Sequence, residues 1–167
     1  MLRTGLHGVR HHRESVAVIN TDVARLHALR QQVRTATLMR AQAALLLQDE
    51  PSLVPLSAVL GSDQTDLRDG YLFLRLWLAT LYVAVEGWEA LGCSDERVDV
   101  GLKNLRLDGS LDALRRFRNF VFHWHRETDD DRAVELLLVR ASGSLMYELG
   151  KVNDALASSL STELALA

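Results

Sequence analysis

A chain of 167 residues with 48% apolar and 25% charged side chains holds one ordinary domain and enough apolar material for a core, which excludes a disordered chain or a fibre. A net charge of −3 excludes a molecule that binds nucleic acid through overall basicity, so any contact with an anion has to come from a local patch. The single cysteine, Cys93, leaves no internal disulfide to form and suits a reducing cytosol.

The opening "MLRTGLHGVRHHRESVAV" has no apolar stretch of signal-peptide length, and residues 1–13 read as a mobile tail ahead of a single helical domain. The richest apolar run, Tyr71 to Val85, is interrupted by Arg75 and is too short to span a bilayer, so the expectation is a soluble cytoplasmic protein with no membrane partner. Strand-like alternation is almost absent, and apolar residues recur at three and four. A first long helix is predicted from about Glu14 to Gln48, with Val16, Ile19, Val23, Leu26, Val33 and Leu47 near one stripe. Pro51 to Asp63 is a connector holding both prolines, Pro51 and Pro55. "SDQTD" offers caps for a second helix from about Asp66 to Leu91, ended by Gly92. Ser94 is predicted to cap a short helix reaching about Leu105. "LDGS" breaks the chain and recaps it with Ser110 for a helix that runs to about Arg126. "TDDD" supplies a loop and acidic residues for the last helix, about Asp131 to Glu163. Its seam is Val134, Leu138, Ala141, Leu145, Leu149, Val152, Leu156 and Leu160, with Gly143 and Gly150 each weakening it by roughly 1 kcal/mol against alanine. The fold class expected is an all-α antiparallel bundle of four main helices plus a short one.

The stretch "FRNFVFHWHR", residues 117–126, packs two histidines, two arginines, an asparagine and four aromatics together. With about 100° between successive residues, Leu114, Phe117, Phe120, Val121 and Trp124 are assigned to the core face. Arg115, Arg118, Asn119, Phe122, His123 and Arg126 are assigned to a polar facet opposite it, with Asn119 and His123 one turn apart. A ring such as Phe122 inside a basic facet has no reason to face water. It would stack on a base or be covered by a second subunit.

The order Arg118-Asn119-x-x-x-His123 within "LRRFRNFVFHWH" resembles the signature of the HEPN superfamily, all-α domains of prokaryotic toxins, defence systems and some CRISPR effectors. That signature is an Arg, usually followed by a polar residue such as Asn, then a His after a short spacer. The match is at the motif only, while a bundle with the motif late in the penultimate long helix agrees in outline over most of the chain. The resemblance implies a metal-independent endoribonuclease of defence or toxin–antitoxin type that needs no cofactor. The RNA 2′-OH is the nucleophile, His123 the general acid/base, and Arg118 the group that holds the phosphate and stabilises its developing charge. Asn119 would orient the imidazole or a phosphate oxygen. Arg115, Arg116, Phe122 and Arg126 would be the flanking RNA contacts. Two copies of the motif would face each other across a homodimer axis with Phe122 at the rim of the cleft, and an antitoxin protein is a further partner of such systems. A Tyr two residues after the motif His, modified by nucleotidyltransferase antitoxins, is replaced here by His125, which counts against that form of regulation.

Other readings compete. His123 and His125 look like a chelating pair, but on a helix their side chains diverge by about 200°. His11 and His12 fall in the predicted tail, leaving His27 as the sole ligand from a separate helix, so no metal site is assigned. An inactive module for RNA or nucleotide binding or protein interaction would keep the bundle and the dimer. In that case Glu86 and Glu89 of the second helix could lock the arginines of the motif helix. The simpler expectation is that both are ordinary polar-face residues near Trp88.

Overall fold

Apolar spacing at three and four builds helices here wherever the backbone is described. The computed structural model describes residues 7–47, 65–122 and 143–166, with side chains over 22–47, 69–122 and 144–162. Within them lie α1 (His7–Leu46), α2 (Thr65–Ala90), α3 (Glu96–Leu107), α4 (Ser110–Phe122) and α5 (Gly143–Leu166), with no strand among the described residues. The all-α bundle is therefore observed. The connector expected over Pro51–Asp63, the last helix's first turns with Val134, Leu138 and Ala141, and the end of the motif helix with His123, Trp124, His125 and Arg126 lie outside the described residues. So do the side chains of Val16 and Ile19. Among the described residues no helix is long and apolar enough to cross a membrane.

Helix α1 starts at His7, seven residues ahead of the expected Glu14. Its buried positions are Leu29, Val33, Ala36 and Ala43, joined by half-buried Leu26, Met39 and Leu47. These steps of three and four draw one seam, and two of its members are alanines that let α2 approach. In α2, every residue from Trp77 to Tyr82 is buried, so this helix has no polar stripe at its centre and is enclosed by neighbours. Leu46 and Leu47 meet Gly70, Met39 meets Thr80, and Leu29 meets Gly87, so α1 and α2 run antiparallel.

Contacts run α1 to α2, α2 to α4, α4 to α3, α3 to α5 and α5 back to α1, closing a ring of helices around one continuous apolar cluster. Side chains reach across it to fix the register. Asn153 is fully buried, accepting from Trp77 Nε1 at 3.3 Å and donating to Thr37 Oγ1 at 2.7 Å, which ties α1, α2 and α5 at one point. An amide so enclosed is tolerated because both ends are satisfied. One turn away, Arg40 donates to the Gly150 carbonyl at 2.8 Å and to Asp154 at 3.1 Å. A Cβ at position 150 would lie 3.1 Å from Arg40 Nη1, so the glycine that weakens α5 also seats this arginine. Leu149, Val152, Leu156 and Leu160 are all at least 98% buried, each contributing about 1.5–3 kcal/mol, which outweighs the two glycines. Leu145 completes the described part of the expected seam.

The short elements depart from expectation at their caps. Asp95, not Ser94, caps α3, accepting from the Arg97 N–H at 2.9 Å, while the Ser94 hydroxyl is engaged with Asp99. The Arg97 guanidinium and N–H together hold the Asp95 carboxyl down to about 2. Gly109, at φ 75, makes the left-handed turn between α3 and α4 that a side chain would resist. The Asp108 carboxylate then accepts from the Ser110 N–H at 2.8 Å, leaving Ser110 as the buried first residue of α4.

Candidate functional site

Helix α4 carries the described part of the motif. Leu111, Leu114 and Phe117 anchor it, Phe117 with no exposed surface, and half-buried Phe120 and Val121 continue that face as expected. Asn119 and Arg115 face solvent, and Phe122 is 48% exposed.

Arg118 does not stand opposite the core. It follows buried Leu114 by one turn, which brings it to the flank of the core face, and its side chain is only 22% exposed. The expected single facet thus divides into a solvent strip with Arg115 and Asn119 and a flank with Arg118. The flank faces α2. Arg118 Nη2 donates to Glu86 Oε1 at 2.6 Å, and the guanidinium carbon lies 5.3 Å from the centre of the Tyr82 ring. Arg118 Nε is buried with no hydrogen-bond partner among the described residues. Tyr82 and Glu86 are one turn apart on α2, so one helix supplies both the ring and the carboxylate. Burial, then the nearby Glu86 charge, pushes the Tyr82 phenol up, while the Arg115 and Arg118 charges pull it down. The expectation of Glu86 as an ordinary polar-face residue is therefore corrected. Glu89, by contrast, pairs with Arg106 of α3 and not with the motif helix.

The other basic residues of α4 are also paired. Arg115 donates to Asp112 Oδ1 at 2.8 and 3.1 Å, and Arg116 lies 3.1 Å from Asp112 Oδ2. One exposed carboxylate serves both, in pairs worth a few tenths of a kcal/mol, so both guanidiniums remain available to an incoming phosphate. Arg75 of α2, inside the predicted apolar run, sits 5.4 Å from the Phe120 ring, and burial lowers its pKa.

Of the site residues read from the sequence, Arg118 and Asn119 are neighbours on α4, with Arg115, Arg116 and Phe122 around them. His123 and Arg126 lie outside the described residues. Sequence reasoning underweighted Glu86 and missed Tyr82 as a partner of the site. The available signal was their four-residue spacing on the same helix. Among the described residues no three His, Cys, Asp or Glu side chains cluster as a metal site.

No protein-family model matches the chain, and neither a curated protein nor a solved structure does.

Proposed function

We propose that this protein is a metal-independent endoribonuclease of bacterial defence or toxin–antitoxin type, with His123 as general acid/base and Arg118 as the phosphate-stabilising group. The sequence motif is the basis of that assignment, and the observation that supports it is the state of Arg118. A guanidinium that is braced by a ring and a carboxylate, yet still 22% exposed, is a pre-positioned cation at the edge of a solvent-facing strip. Asn119 adjoins it in that strip, with Arg115 and Arg116 as loosely held flanking cations. The 2′-OH of RNA supplies the nucleophile, so a base and a charge stabiliser suffice without a divalent ion. Incubating the purified protein with RNA in EDTA, beside a His123→Ala variant, tests the proposal. Wild type is expected to cleave and the variant to be inactive.

A homodimer with the motif helices near its two-fold axis belongs to the same proposal, because Phe122 is a half-exposed ring on a helix whose exposed side is cationic. Light scattering at micromolar concentration is expected to give the mass of a dimer. A monomer there would count against a shared cleft.

A second reading is favoured by one specific observation. The Glu86–Arg118 pair is also what an inactive interaction or nucleotide-binding module would use to join α2 to α4. On that reading the protein binds RNA or a nucleotide without turnover, and the EDTA assay returns intact RNA with both proteins.

A further inference from the structure

The pairing of Arg118 across the α2–α4 contact assigns a role to a residue outside the motif. We propose that Glu86, backed by the Tyr82 ring, is the positioning residue that holds Arg118 in its phosphate-binding pose. This rests on the reading of Arg118 as the phosphate contact.

Three features carry the inference. The first is the 2.6 Å contact from Arg118 Nη2 to Glu86 Oε1, which among the described residues uses one of the five N–H donors of the guanidinium and leaves others for a ligand. The second is the Tyr82 ring at 5.3 Å, which covers one face and restricts rotation of the group. The third is the buried Nε, which closes the side-on approach that uses Nε and an Nη together. A phosphate oxygen must therefore come to the terminal Nη edge, and that edge is aimed by Glu86. Without the carboxylate, a partly desolvated guanidinium whose Nε has no hydrogen-bond partner among the described residues has little reason to stay against Tyr82. Its flexible stem lets it turn to water instead. A carboxylate that merely neutralised Arg118 would have the opposite signature, because its removal would strengthen the hold on phosphate.

The sign of the effect and its dependence on Arg118 separate these cases. A double-mutant cycle of Glu86→Ala, Arg118→Ala and the combination is read on two probes. One is cleavage of an RNA oligonucleotide, resolved into kcat and KM. The other is binding of the same sequence with 2′-O-methyl groups, which lacks the nucleophile. Glu86→Ala is expected to lower kcat by about ten- to a hundredfold, as displacement of a positioned group by about 1 Å does, with KM changed far less. It is expected to cause no further loss in the Arg118→Ala background. Glu86→Gln, which keeps an acceptor oxygen without the charge, is expected to fall between wild type and Glu86→Ala, and it replaces the alanine variant in the cycle if that variant melts early. The proposal is overturned if Glu86→Ala matches or exceeds wild type while Arg118→Ala is inactive, and equally if the loss is the same in both backgrounds. Where the wild type binds without cleaving, the cycle is read on the dissociation constant of the 2′-O-methyl probe: Glu86→Ala is then expected to weaken binding only while Arg118 is present, and tighter binding, or the same loss in both backgrounds, overturns the proposal. A wild type that neither cleaves nor binds removes the RNA reading and this inference together.

Discussion

Arg118→Ala is expected to lower the rate of RNA cleavage by about 10²–10³-fold, the typical loss for one preorganised donor to a developing oxyanion. The bundle itself should survive. The side chain lies at the flank of the core and not inside it, and its removal leaves Glu86, already 44% exposed, free to turn to water. Arg118→Lys is expected to recover part of that rate. Its ammonium preserves the charge, but a point charge has neither the planar surface that lies over Tyr82 nor the fork that meets Glu86 and phosphate together. The order wild type, Lys, Ala in single-turnover cleavage checks the prediction. An alanine variant as fast as wild type would remove Arg118 from the chemistry and leave it a structural link between α2 and α4.

The largest effect on stability is expected at Phe117. Its ring has no exposed surface and lies in the apolar cluster with Leu114, so Phe117→Ala should cost about 3–5 kcal/mol. For a chain of this size that is a fall in melting temperature of about 10 °C. Phe122, five residues later and 48% exposed, should lose less than about 1 kcal/mol as alanine in the monomer. Thermal denaturation of the two variants side by side tests the orientation of α4 directly. Similar melting temperatures would contradict the assignment of its two faces.

The seam of α5 was legible because a helix that buries one stripe must repeat its apolar residues at three and four, and Leu145, Leu149, Val152, Leu156 and Leu160 do so without interruption. Phe117 and Leu114 were legible in the same way. Residue type misleads at Arg118: an arginine reads as part of the polar facet, although it follows Leu114 by four and so lands on the flank of the core face. Glu86 was underweighted because its partner is 32 residues away, and periodicity within one helix says nothing about which side chain of another helix arrives opposite. Gly150 illustrates the same limit. Helix propensity marks it as a weakness, and only the arrival of Arg40 from α1 gives it a purpose. At the start of α3, Ser94 and Asp95 are both good caps by composition. The choice falls to Asp95 because it reaches the Arg97 N–H while Ser94 bonds Asp99.

On the proposed function, His123 and Arg118 cleave RNA through its own 2′-OH. The most direct test is analysis of the product ends after incubation of the purified protein with an RNA oligonucleotide in EDTA, alongside His123→Ala and a DNA oligonucleotide of the same sequence. Wild type is predicted to leave a 2′,3′-cyclic phosphate and a 5′-hydroxyl, His123→Ala to leave the RNA intact, and the DNA to remain uncut. Equal cleavage by wild type and His123→Ala, cleavage of the DNA, or RNA left whole by the wild type would rule this chemistry out.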